Sequence, residues 1–219
     1  SGGDIYCASA SSMFHVPVEK HGANGHLRQK GKVAELALGY GGGVGAMKSM
    51  DTKGEIPEEE LPGIIEAWRR ASPRITRFWK DADSAAKQVV KTGEPVRIRQ
   101  GNIKFFKSKG FLFIELPSGR RLAYARPRLG LNRFGSESIE YDGMGQVKNT
   151  WGRVETYGGK LVENIVQAVA RDCLAAAMLR LSKAGYKIVA HIHDEVVIEA
   201  PTGEGSLDEV IDIMCEPES

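Results

Sequence analysis

The sequence predicts an α+β fold: a helical N-terminal half, then a half in which antiparallel hairpins are joined by one long helix. Three observations predict it. Apolar residues recur at helical spacing up to about residue 92. From about residue 97, "VRIRQGNIKFFKSKGFLFIELPSGRRLAYARPRL" alternates apolar and polar residues around Lys-Gly and Ser-Gly turns. A helical stripe then returns from about Lys160 to Ala184, and two short β-branched runs follow it around an acidic turn, "HIHDEVVIEA".

Residues 4–14, "DIYCASASSMF", read as a short helix opened by Asp4, whose side-chain oxygen can accept the unpaired N–H groups of the first turn. "HVPVEKHGANG" is a turn-rich connection. From Leu27 to about Leu38 the pattern is helical again, with Leu27, Val33, Leu36 and Ala37 on one flank and Arg28, Lys32 and Glu35 elsewhere. "GYGGGVGAMKSM" reads as a glycine-rich stretch that permits unusual dihedrals or close backbone approach. Residues 58–70 and 73–92 are two further helices, and Pro62 marks the first turn of the earlier one. Residues 137–159 continue the hairpin pattern less regularly. In the long helix, Ile165, Val169, Leu174, Ala177, Met178 and Leu181 form the expected core stripe. A last helix begins at Ser206.

With 219 residues, 42% hydrophobic and 26% charged, the chain has the composition of a folded domain with one sizeable core or two modest ones. No apolar run approaches the length of a membrane span, and the start carries no signal-peptide pattern. Cys7, Cys173 and Cys215 have neither disulfide-framework nor zinc spacing, which points to a reducing, cytoplasmic setting. The net charge of +2 says little, but its distribution says more. Between Arg69 and Arg128 there are 16 basic residues and 4 acidic ones. Such a block follows a phosphate backbone, or it is a solvated helix face plus a charged hairpin.

Two clusters carry chemistry. Asp194 and Glu195 sit side by side between apolar runs. Burying carboxylates is costly unless they are paired or bound to metal, and as hard oxygen donors they suit Mg²⁺; an ordinary polar turn is the other reading. Arg28 and Lys32 lie four apart on one helix face, with Tyr40 eight further on and Gly41 after it. One turn of separation lets a guanidinium fork and an ammonium clamp a polyphosphate, and the tyrosine can stack on a base. A solvated basic face is the plainer reading.

At these residues the chain resembles a known family. "RQKGKVAELALGYG" is similar to the nucleotide-binding fingers helix of family A DNA polymerases, the bacterial-repair and phage group. Its pattern falls on Arg28, Lys32, Leu36, Tyr40 and Gly41. His193, Asp194 and Glu195 resemble the second catalytic motif of the palm, and "DIYCASASSMFHVP" the helix after the first. "LVENIVQAVARDCLAAAML" is similar to the long palm helix, and "SGRRLAYARP" to the return from fingers to palm. The segments follow the family's order across nearly the whole chain.

The resemblance implies an incomplete right-hand polymerase: residues 1–26 as the palm–fingers junction, 27–100 as fingers, and 101–219 as the return to a truncated palm. It implies template-directed nucleotidyl transfer from a deoxynucleoside triphosphate to a primer 3′ end, with two Mg²⁺ ions. Asp194 is then the metal-binding catalytic carboxylate, and Glu195 a secondary catalytic and metal-site acid near the primer terminus. Arg28 and Lys32 bind the triphosphate, Lys32 also protonating the leaving pyrophosphate, and fingers closure carries both toward the palm. Leu36 and Tyr6 contact the nucleotide, Tyr40 and Gly41 lie beside the templating base, and Gln167 and His193 hold the template-primer. Partners are DNA and deoxynucleoside triphosphates, with no membrane; apolar strands of a cut palm would favour self-association. The setting is intracellular, with a phage or prophage origin.

Three departures qualify this. Leu36 replaces a family aromatic and loses its ring face. Tyr6 stands where relatives have histidine and cannot carry positive charge at neutral pH. No aspartate for the first palm motif precedes Asp4, so the expectation is a fragment or degenerate copy that does not extend primers. A non-catalytic nucleic-acid-binding module is the alternative function, ahead of a metal-dependent nuclease or a purely structural domain.

Overall fold

The computed structural model describes residues 3–132, 134–145 and 150–217. The chain forms two compact units. One comprises Ser1–Ile114 and Ala123–Glu163, the other Glu115–Leu122 and Asn164–Ser219. The expected α+β character is observed: helices precede an antiparallel meander, and a long helix leads to a final hairpin.

The first unit opens with α1 (Ile5–Phe14). Asp4 caps it, accepting the backbone N–H of Tyr6 at 2.9 Å and of Cys7 at 3.2 Å. His15 ends the helix in the left-handed region at φ 55°. Next, α2 (Leu27–Leu38) packs across α1, and Gly31 is what permits the crossing. A β-carbon there would lie 2.3 Å from the Tyr6 carbonyl oxygen, which no side chain could tolerate.

Val33, Ala34, Ala37 and Leu38 form the buried side of α2, while Leu36 is 48% exposed. Leu36 therefore leaves the flank expected for it. Ala34 and Leu38 lie about one turn apart and fill the core side instead. The glycine-rich stretch also differs from expectation, since Val44–Met50 forms a helix, α3. Its glycines lie at the start, Gly43 caps it, and Met47 is fully buried and anchors it.

Helices α4 (Leu61–Ala71) and α5 (Pro73–Thr92) follow, with Pro62 in the first turn of α4 as expected. Trp68 is wholly buried among Val33, Leu38, Met47, Leu61 and Ile64, and stacks on Trp79 at 5.9 Å between ring centroids. Its indole N–H donates to Glu35 Oε1 at 2.9 Å, so the polar edge of this large side chain is satisfied.

A six-stranded sheet completes this region in plain sequence order: β1 (Val96–Ile98), β2 (Ile103–Ser108), β3 (Phe111–Glu115), β4 (Arg121–Leu131), β5 (Glu137–Met144) and β6 (Trp151–Thr156). A register shift between Ala125 and Arg128 bends β4, and Arg126 there has φ 45°. The buried Asp142 opposite accepts from Arg126 and, at 3.0 Å, from Arg153. That pairing is what makes a buried carboxylate tolerable.

The long helix α6 (Gly158–Lys183) continues into the second unit. There Ile165, Leu174, Ala177 and Leu181 are buried, while Val169 and Met178 are half-buried. The segment 115–122 docks on this helix. Arg120 donates to Asp172 Oδ1 and to the Ala168 carbonyl, both at 2.6 Å, and Ser118 donates to Asp172 Oδ2 at 2.7 Å. Strands β7 (Lys187–Ile192) and β8 (Glu195–Glu199) form a two-stranded antiparallel ribbon, and α7 (Leu207–Cys215) closes the description, capped by Ser206.

Candidate functional site

The expected residues fall into both units, and each group stands on its own scaffold. In the first, α2 presents Arg28, Lys32 and Leu36 in successive turns, about 6 Å apart along the axis. Lys32 is exposed and Arg28 half-buried. Arg28 is also held. Its Nε donates to Asp4 Oδ2 at 2.7 Å, and its guanidinium lies 5.2 Å from the centre of the Tyr6 ring. The hydrogen bond from Arg28 is the main reason the Asp4 carboxyl sits below its ordinary range; partial desolvation opposes it, and the two cap bonds add to it. The same bond raises the Arg28 guanidinium further. The structure thus brings Tyr6 and Arg28 together.

Tyr40 lies just past the end of α2, followed by Gly41 at φ 82°. This turn is tied down from two sides. Trp79 donates to the Gly39 carbonyl at 3.2 Å and Arg69 to the Gly42 carbonyl at 3.0 Å. Beside it lies a cleft of about 580 Å³ lined by Gly41, Trp79, Lys80, Lys87, Ser138 and Tyr157. Asp83, which also borders it, pairs with Lys87 at 2.6 Å and accepts the Gly158 N–H at 3.1 Å.

In the second unit, Gln167 is exposed on α6. His193 and Asp194 form the two-residue turn of the β7–β8 ribbon, with Ile192 paired to Glu195. His193 is left-handed at φ 53°, uncommon for a non-glycine residue. His193, Asp194 and Glu195 are all exposed. The carboxylates of this turn stand in solvent, and Val189, Ile192 and Val197 beside them are exposed as well. The reason is architectural: among the described residues this sheet has two strands. The donor set fits Mg²⁺ in kind, since one or two carboxylates plus substrate phosphates suffice for that ion. Among the described residues no group of three or more His, Cys, Asp or Glu side chains gathers around a common point.

The basic block divides. Arg120 and Arg121 pair with Asp172 and Glu115, and Arg126 and Arg128 with Asp142 and Glu140. Arg70, Arg77 and Lys87 pair along their own helices. Four opposing acids lie inside the block, and Glu66, Glu140, Asp142 and Asp172 join them from outside it. The second role of Asp4 has no local signal. A cap is visible in sequence, but nothing local announces that its free oxygen meets an arginine 24 positions on.

No protein-family model matches the chain. Over 217 residues it is 54% identical to the DNA polymerase of Bacillus phage SP02, an alignment covering 98% of this chain. This chain is similar to part of a phage DNA polymerase. It spans about a third of that relative, 33% of its length. The POL domain of Pol1 from M. smegmatis, solved in complex with DNA primer-template and dNTP, superposes with a TM-score of 0.56 over 97% of this chain and 30% of that one. At 20% identity, that match shows a shared polymerase-domain fold. No helix among the described residues is long and apolar enough to cross a membrane.

Proposed function

We propose that this chain forms the fingers and part of the palm of a family A DNA polymerase and serves template-directed addition of a deoxynucleotide to a primer 3′ end. The division proposed is 1–26 for the junction, 27–100 for fingers and 101–219 for the return to the palm. The observation that carries the reading is the α2 face: Arg28 and Lys32 one turn apart, with Tyr40 past the helix end, in a chain 54% identical to a phage DNA polymerase.

In this reading Arg28 offers a planar fork to the triphosphate and Lys32 a mobile point charge. Lys32 also gives a proton to the departing pyrophosphate oxygen. Exposed Leu36 presents an apolar contact to the incoming nucleotide, and Tyr6 can donate its phenolic O–H to a phosphate. Tyr40 and Gly41 flank the templating base, and Gln167 and His193 steady the template-primer. Asp194 and Glu195 would hold Mg²⁺, which when bound stabilises charge on the transferring phosphoryl group. The phage origin of the relative supports an intracellular, phage or prophage setting.

The test is single-nucleotide primer extension by the full-length gene product. Magnesium-dependent incorporation that is lost in Asp194→Ala while DNA affinity is retained supports the reading. Incorporation that survives Asp194→Ala overturns the mechanism. The alternative, a non-catalytic nucleic-acid-binding module, is favoured by the excess of basic over acidic residues between Arg69 and Arg128. It predicts DNA binding without extension.

A further inference from the structure

We propose that Asp4 is a positioning residue for the triphosphate, holding Arg28 by its Nε so that both terminal guanidinium nitrogens are left for phosphate oxygens. The inference rests on the reading of Arg28 as a phosphate ligand and deepens it. A carboxylate with two free oxygens usually grips arginine as a fork, through two parallel N–H bonds. Asp4 is short of an oxygen for that. Oδ1 is committed to the cap of α1, where it accepts from Tyr6 and Cys7 at 2.9 and 3.2 Å. Only Oδ2 reaches the guanidinium, and it meets Nε at 2.7 Å. Of the five guanidinium N–H donors, the single one on Nε is spent; one terminal N–H runs parallel to it on the Asp4 side, and the end-on pair, one N–H from each terminal nitrogen, points away from that bond.

The hold is rigid for reasons on both sides. The Tyr6 ring packs on the guanidinium at 5.2 Å, so the group is fixed in its plane by Asp4 and over one face by the ring. Asp4 and Tyr6 belong to the start of α1, and the contact at Gly31 presses the Tyr6 carbonyl onto α2. The spacing between carboxylate and arginine is thus set by two helix backbones. A guanidinium fixed before the ligand arrives loses less freedom on binding than a loose one.

Asp4→Asn separates this role from capping. The amide oxygen can still cap α1, while the amide NH₂ meets the Nε–H donor to donor. The substitution also removes a negative charge from beside the phosphates, which alone would strengthen binding. A weakening therefore reports lost orientation.

The experiment is calorimetric titration of the full-length gene product with dATP in excess MgCl₂, with thermal melting alongside. Arg28→Ala is expected to weaken binding about tenfold or more, the scale of one charge-assisted hydrogen bond, and Asp4→Asn about fivefold with an unchanged melting temperature. The double variant should bind no more weakly than Arg28→Ala alone. Asp4→Ser, which also keeps a capping oxygen, gives the same test should Asp4→Asn lower the melting temperature. Unchanged affinity in the Asp4 variants beside a weakened Arg28→Ala would overturn this inference and leave the reading of Arg28 standing. A full additional loss in the double variant would overturn it too. A wild-type chain that binds no dATP, or an Arg28→Ala variant that binds as well as wild type, would overturn the reading and the inference together.

Discussion

The α2 face and the β7–β8 turn carry their charged groups in opposite ways. Arg28 and Lys32 project from a helix whose other side is buried against Trp68, and Arg28 is already engaged by Asp4 and Tyr6. Asp194 and Glu195 stand on the tip of a two-stranded ribbon with exposed apolar residues beside them. A lone two-stranded ribbon is marginal in water, whereas a helix on a dense core is a firm mount. One region holds its cations on a packed core. The other carries its carboxylates at an exposed two-residue turn. The lesson is that identity of side chains and firmness of mounting are separate requirements, and this chain meets both at only one of its two candidate groups.

Substitutions can break or sharpen that contrast. The largest expected effect is on catalysis: Asp194→Ala in the full-length gene product should lower primer extension about a thousandfold or more, several kcal/mol of transition-state charge stabilisation. Its melting temperature should stay unchanged, because the side chain is exposed. Differential scanning calorimetry beside the extension assay would show both. Next in size, Trp68→Ala should destabilise the first unit by about 3–5 kcal/mol through loss of a fully buried indole. Chemical denaturation measures it, and a loss under 1 kcal/mol would mean that α2 does not depend on that core.

Lys32→Ala should cost about 1.5–3 kcal/mol of triphosphate binding, a single charge-assisted contact, with no loss of stability. Equal affinity in titrations of wild type and variant would remove α2 from the nucleotide site. Smallest is Ile192→Thr on the exposed ribbon, expected to change stability by less than about 0.5 kcal/mol. It should nonetheless reduce concentration-dependent self-association in sedimentation velocity, since a bare strand face is where copies would meet. Association unchanged by the substitution would clear the ribbon of that role.

What could be read in advance follows the range of each interaction. α2 was legible because its period is local, and the acidic hairpin because β-branched runs flank a two-residue turn. α3 was not, since glycine at its start hides a helix that Met47 anchors through distant contacts. The partners of the basic block were hidden for the same reason: Arg120 and Arg128 find Asp172 and Glu140 only after the chain has folded back. At the site, the residue types on α2 were visible in sequence. The grip of Asp4 on Arg28 was not, because it joins two helices through one spare oxygen.

The segment 115–122 has a consequence for how the molecule is made. It belongs with α6, yet it is translated inside the meander, and its anchor Asp172 comes 52 positions after Arg120. On the ribosome, Ser118 and Arg120 emerge with nothing to bind, and they wait while β4, β5 and β6 are synthesised. Closing so long a loop carries an entropic cost that grows only slowly with its length, so the wait is a matter of timing more than of energy. No single cut of the backbone can separate the two units. A protease nicking the turn at Ser118–Gly119 would leave both halves of the broken connection still needed, one on each side of the break.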